Sequence, residues 1–168
     1  ATVMSNIGLH KYLEEHGIGV DVTKVGDRYV LESMRQTGSV LGGEQSGHMI
    51  FLNYTTTGDG VLSSLQFMKA YLDSGKKLSE LRDEIQIYPQ ALVNARVDNA
   101  FKETALEDEE VKKFIAEIEA KMEGSGRVLI RPSGTEPLIR VMLEGEDIDE
   151  IQGYAEQVAN LISEKFGK

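Results

Sequence analysis

Hydrophobic positions recur at helical spacing in some stretches of the chain and alternate in others, and glycines mark most of the changes between them. Leu9, Tyr12 and Leu13 fall on one helical face. Ser5 or Asn6 can cap that helix and Gly17 can end it, because a short polar side chain satisfies free N–H groups and glycine tolerates a left-handed exit. Ala1 to Met4, just before it, is too short for a comfortable strand and reads as a chain starting inside a longer protein. Val20 and Val22 alternate as a strand does, and Met49 to Leu52 form a second short apolar run after Gly47. Thr57-Gly58-Asp59-Gly60 then leads into a helix with Asp59 as its cap, carrying Val61, Leu62, Leu65, Met68 and Leu72 on one face and stopping at Gly75. Leu78, Leu81 and Ile85 add a turn or two before Tyr88-Pro89. Strands alternating with helices predict an α/β domain, a mixed sheet with helices, over residues 1–85.

Beyond Pro89 the pattern changes. Val93 to Val97 reads as a strand, and Val111, Phe114, Ile115, Ile118 and Met122 form a helical stripe closed by Gly124. Arg127 to Arg131 and Leu138 to Leu143 follow as two strands around a turn. A last helix starts near Asp147 or Asp149 and puts Ile151, Ala155, Val158 and Ile162 on one side. The order strand, helix, strand, strand, helix predicts a small α+β domain over residues 86–168, an antiparallel sheet with helices on one face. The boundary falls at about residues 85–92, with no long linker and no internal repeat.

Composition narrows the class. The chain has 168 residues, 40% of them hydrophobic, and a net charge of −10. That charge disfavours general binding to nucleic acid or an anionic membrane, which needs clustered Lys and Arg. A small phosphorylated ligand needs only one local set of donors. With no cysteine, disulfides, thiolate zinc sites and thiol nucleophiles are excluded. No apolar run is long enough to span a bilayer and no signal-peptide pattern opens the chain, so the cytoplasm is the expected compartment.

Two segments hold candidate chemistry. Arg131-Pro-Ser-Gly-Thr-Glu-Pro137, followed by Arg140, offers two hydroxyls, a glycine that lets N–H groups converge and two guanidiniums. The same residues also suit an ordinary hairpin connection with solvated arginines at its ends. Gly42-Gly-Glu-Gln-Ser-Gly-His48 can approach a ligand closely, Glu44 can accept hydroxyl protons, and His48 can transfer a proton or meet a phosphate. Its plainer reading is a glycine-rich loop with a hydrogen-bonded histidine. Val25-Gly-Asp-Arg28 adds a cation from a further short loop. The acidic run Glu107 to Glu110 reads as a helix start rather than a metal cluster, and no metal site is expected.

Together these loops resemble the α-D-phosphohexomutase superfamily over essentially the whole chain. Arg131 to Pro137 is similar to the family's phosphate-binding loop, in its fourth domain, and Gly43 to His48 to the sugar-binding loop, in its third. Gln45 together with Thr56-Thr57-Gly58-Asp59-Gly60 resembles the phosphoglucosamine mutase branch. The resemblance implies interconversion of glucosamine 6-phosphate and glucosamine 1-phosphate through a bisphosphate, in cell-wall precursor synthesis. It implies that Glu44 and Ser46 bind ring hydroxyls, that Arg28 and His48 lie near the reacting oxygen, and that Arg131, Ser133, Gly134, Thr135 and Arg140 hold the non-reacting phosphate. Arg28 stands where relatives have Lys, and a guanidinium is a poor base. The family's phosphoserine and its Mg²⁺-holding Asp-rich loop belong to its first two domains, and neither motif occurs in this sequence. The implied ligand is therefore a phosphorylated amino sugar, the implied partners are the N-terminal domains of the same polypeptide, with a homodimer of the parent open, and the isolated chain is expected to be inactive. A phosphomannomutase or phosphoglucomutase fragment and a stand-alone phosphosugar-binding module are the alternatives.

Overall fold

The computed structural model describes residues 1–167. The chain forms two compact units, Ala1–Ile87 and Tyr88–Lys168. In the first, the N-terminal residues run beside Thr23 in a parallel bridge, with Val3 N–H donating to Thr23 O (2.9 Å) and Thr23 N–H to Ala1 O (3.0 Å). The Val20 to Val22 stretch, expected as a strand, is irregular, and the bridge falls just after it at Thr23. Helix α1 (Ile7–Glu15) starts on Asn6, whose side chain accepts from Gly8 N–H. Helix α2 (Asp27–Thr37) ends on Gly38 in the left-handed conformation. It is a helix the hydrophobic pattern did not announce, and it places Arg28 in a first helical turn instead of a loop.

Strands β1 (Leu41–Gly43) and β2 (Met49–Phe51) pair antiparallel with Gly42 opposite Ile50. Gly42 has no room for a side chain, since a Cβ there would meet Met34 Sδ at 2.4 Å. Helix α3 (Gly60–Ser74) follows, capped by Asp59, which accepts from Leu62 N–H (2.9 Å), and then α4 (Leu78–Arg82). The core of this unit is small: Val30, Met34 and Ile50. The α3 face of Val61, Leu65, Met68 and Leu72 has the expected period but is exposed, because nothing described packs on it. A cleft of about 560 Å³ opens among Leu9, Leu13, Val20, Met34 and Leu41.

The second unit has the predicted antiparallel sheet, ordered β3 (Gln90–Arg96), β5 (Leu138–Glu144), β4 (Arg127–Pro132). A short 3₁₀ turn (Asn99–Phe101) and α5 (Lys102–Glu107) precede α6 (Glu109–Lys121), and α7 (Ile148–Phe166) closes the unit. Alternation divides the sheet. Ala91, Ala95, Ile139, Val141 and Leu143 face α6 and α7 and join Val111, Ile118, Ile151, Val158 and Ile162 in one buried cluster. Each fully buried aliphatic side chain there contributes about 2 kcal/mol. The opposite, helix-free face is graded along the strands. Gln90, Glu144 and Arg127 form a row at one end, Leu92, Met142 and Leu129 a row in the middle, and Asn94, Arg140 and Arg131 a row beside the 133–137 loop. Glu144 is fully buried and paired with Arg127 and Gln90.

Candidate functional site

The 133–137 loop is a self-braced turn. Ser133 N–H donates to Leu138 O (2.9 Å), Leu138 N–H to Glu136 O (2.9 Å), and Glu136 N–H to Ser133 Oγ (3.2 Å). Ser133 is buried, and its hydroxyl oxygen accepts from the loop while its proton stays available to an anionic ligand. Gly134 and Thr135 are exposed, and neither N–H has a hydrogen-bond partner among the described residues. Lys102, on α5, is also buried, and its Nζ donates to Ser133 O (2.7 Å) and to Glu136 O.

Beside the loop, Arg131 and Arg140 are register partners across β4 and β5. Arg140 is ion-paired with Glu136 (3.0 Å), while Arg131 has no carboxylate partner among the described residues. Burial first, and the Arg140 charge second, hold the Arg131 guanidinium below its ordinary range. Two like charges directly opposite each other destabilise a strand pair unless something anionic separates them. Guanidiniums, unpartnered N–H groups and the Thr135 hydroxyl are donors of the kind that can meet a dianion such as a phosphate monoester.

In the first unit the glycine-rich segment is the β1–β2 turn. Glu44 N–H donates to His48 O (2.9 Å), and Gly47, at φ 89°, completes the reversal. Glu44 Oε1 accepts from Gly26 N–H (2.9 Å), which ties this turn to the start of α2 and leaves the second carboxylate oxygen for a ligand. His48 Nε2 lies 3.7 Å from Asp27 Oδ2 and has no hydrogen-bond partner among the described residues. Its ring rests against Gly58, where a Cβ would fall 2.2 Å from His48 Cε1. A cleft of about 400 Å³ runs from Ser46 and His48 to Gly60 and Ser63 in the first turn of α3. The structure thus brings Glu44, Ser46 and His48 together with the start of α2. Arg28 Nη2 donates to Tyr29 OH (3.1 Å), and the guanidinium lies over that ring at 4.8 Å. Asp27, not Arg28, is the charged group facing His48.

Sequence reasoning missed Asp27, Gly58 and Lys102. Asp27 stood inside the Val25-Gly-Asp-Arg28 segment, and only the unread helix hid its direction. Lys102 carried no signal, since a lysine that turns its head inward looks like any other in sequence. Among the described residues no three carboxylate or histidine side chains converge on a metal-sized site. No helix among them is long and apolar enough to cross a membrane.

The sequence matches phosphoglucomutase/phosphomannomutase alpha/beta/alpha domain III over residues 1–88 and the C-terminal domain of the same family over residues 92–161. The chain belongs to the phosphoglucomutase/phosphomannomutase family. It is 58% identical over 166 residues to phosphoglucosamine mutase of Caldanaerobacter subterraneus subsp. tengcongensis, covering 99% of this chain and 37% of that protein. To phosphoglucosamine mutase of Streptococcus gordonii it is 54% identical over 166 residues, again covering 99% of this chain and 37% of the relative. The chain thus spans a little over a third of the length of these curated relatives. In fold it is similar to Aspergillus fumigatus N-acetylphosphoglucosamine mutase. A variant of that enzyme in complex with glucose 1,6-bisphosphate superposes with a TM-score of 0.80 at 19% identity, over 99% of this chain and 38% of that one. The same enzyme in complex with GlcNAc-6P and magnesium superposes with a TM-score of 0.77 at 16% identity, over 97% of this chain and 38% of that one.

Proposed function

We propose that this chain is the recognition part of a phosphoglucosamine mutase, an enzyme that interconverts glucosamine 6-phosphate and glucosamine 1-phosphate through a bisphosphate. Residues 86–168 supply phosphate recognition through Arg131, Ser133, Gly134, Thr135 and Arg140. Residues 1–85 supply recognition of ring hydroxyls through Glu44 and Ser46, with His48 placed for proton transfer or charge stabilisation. Arg28 contributes positive charge at the start of α2. The observation that carries this reading is the Arg131–Arg140 register pair beside two unengaged loop N–H groups, an arrangement that a bound phosphate would neutralise. The high identity to phosphoglucosamine mutases supports the amino sugar over other hexose phosphates in this reading.

Phosphoryl transfer depends mostly on positioning and on charge stabilisation, so a firm grip on the distant phosphate and on the ring is itself catalytic work. Mg²⁺ would supply charge neutralisation at the transferring group. The residues described here hold no cluster that fits it, and we place the ion with the nucleophilic serine in the remaining domains of the longer polypeptide. Those domains are the partners of this chain.

The test is a titration of the ¹⁵N-labelled chain with glucosamine 6-phosphate and glucosamine 1-phosphate. Amide signals of Ser133 to Thr135 are expected to move, and the Arg131→Ala/Arg140→Ala double variant to abolish the response. An unchanged response in that variant would refute the site. The chain alone is expected to show no mutase turnover with Mg²⁺ and glucosamine 1,6-bisphosphate, and measurable turnover would refute the division of labour.

A further inference from the structure

Lys102 is an unusual residue for its place. It is 7% exposed at the start of α5, and among the described residues no carboxylate lies within ion-pair reach. Buried ammonium groups are costly unless paired or fully hydrogen-bonded. Here the partners are two backbone carbonyls of one loop, Ser133 O at 2.7 Å and Glu136 O. The residue reaches them because Asp98, accepting from Ala100 N–H (3.0 Å), starts the 3₁₀ turn that delivers α5 under the loop.

That contact has a directional consequence. In a trans peptide the C=O and the following N–H point opposite ways. Drawing Ser133 O inward to Lys102 therefore turns Gly134 N–H outward, where it has no partner among the described residues. The second contact, at Glu136 O, anchors the far side of the same turn. Two of the three ammonium N–H groups are spent on loop carbonyls, so the loop stands between a buried positive charge and its own outward donors.

We propose that Lys102 is a positioning residue for the anion socket, setting the loop backbone so that the Gly134 N–H faces the ligand and placing a cation without a carboxylate partner among the described residues behind it. This rests on the reading of residues 131–140 as a phosphate site, and goes beyond it by assigning a residue that does not touch the ligand. The ligand completes the charge balance from the far side of the loop: the Ser133 carbonyl turns toward Lys102 and the Gly134 N–H of the same peptide toward phosphate, while Glu136 O, which precedes Pro137 and so has no N–H behind it, only anchors the turn.

The experiment compares wild type, Lys102→Met and Lys102→Arg as full 168-residue chains, titrated with inorganic phosphate and with glucosamine 6-phosphate. Met keeps the aliphatic stem and removes the ammonium. In ligand-free Lys102→Met, amides of Ser133 to Glu136 are expected to shift and exchange faster while signals of β3 and α7 stay in place. Phosphate affinity should fall by tenfold or more, as for loss of a charge-assisted hydrogen-bond network. Lys102→Arg should restore part of it, which a purely packing role would not. Wild-type protein offers a second measurement that needs no variant: the Lys102 ζ-ammonium protons should be slow to exchange and should shift as phosphate saturates Gly134. Undiminished affinity in a folded Lys102→Met, or a ζ-ammonium signal unmoved at phosphate saturation, overturns the proposal and leaves the phosphate site standing. Failure of wild type to bind either probe overturns both.

Discussion

Arg131 and Arg140 face each other across adjacent strands, and among the described residues the Glu136 carboxylate pairs with Arg140 and not with Arg131. In the ligand-free protein this pairing works against stability, as like charges directly opposite do, by about 0.2–1 kcal/mol. Replacing Arg131 by Met should therefore leave the thermal midpoint of the second unit unchanged or slightly raised, while phosphate affinity falls at least about tenfold. Calorimetry and phosphate titration on the same variant check this together. A marked loss of stability would mean that Arg131 serves the fold instead.

His48 owes its position to a missing side chain. A Cβ on Gly58 would come within 2.4 Å of His48 Nε2. Gly58→Ala is expected to displace the imidazole while α3 stays formed, because Asp59 still caps it. The ring resonances of His48 should move, and the response of Glu44 to His48 amides to glucosamine 6-phosphate should weaken by about tenfold, since small misplacements of a contacting group are costly. Unmoved His48 ring signals would count against the contact.

The fully buried Glu144 is the ionic anchor at the far end of the sheet from the loop. Glu144→Ala removes the carboxylate to which Arg127 and Gln90 donate and should cost about 3 kcal/mol, a drop of more than about 10 °C in the midpoint of this unit. Replacing both partners, Glu144→Leu with Arg127→Met, should recover most of the loss, because apolar packing substitutes well for a buried ion pair. Thermal melts of the single and double variants decide between an anchor and a bystander.

Asp108 caps α6 through Glu110 and Val111 N–H and is bound by Lys165 of α7. The Lys165 contact, and next the Val111 N–H, hold its carboxyl below the ordinary 3.8. A depressed folded value means stabilisation that is complete above about pH 4 and is lost as pH falls through the lowered value. Asp108→Asn keeps a competent cap but no ionisable group, so its stability should respond less steeply to pH in that acid range. Urea melts across the range test it, and parallel profiles for the two proteins would contradict the assignment.

The second unit was readable from sequence because a single run of β3, α6, β4, β5 and α7 buries its own apolar residues: Val111, Ile118, Ile151 and Ile162 sit where their spacing put them. The first unit was harder for two separate reasons. Helix α2 buries only Val30 and Met34, too few positions to stand out, so Asp27 and Arg28 read as loop residues. The α3 stripe had the right period, yet periodicity says only that Leu65 and Leu72 share a face, not that anything covers it. Both glycine-rich and arginine-flanked loops were visible as candidate sites, since their donors are consecutive in sequence. Lys102, Asp27 and Gly58 act across space, through an ammonium, a carboxylate and an absent methyl, and such roles leave no local pattern.

The small core of Val30, Met34 and Ile50 has a consequence for recognition. Local opening is easiest where few apolar groups hold a segment closed, so amides of Leu41 to Phe51 should exchange with solvent at a lower free energy than those of β5 or α7. A sugar that binds only the closed hairpin then slows that exchange by mass action, and occupancy of the glycine turn becomes readable as protection of a whole strand pair. The turn we propose to meet the ring is in this sense also the gauge of its own folding.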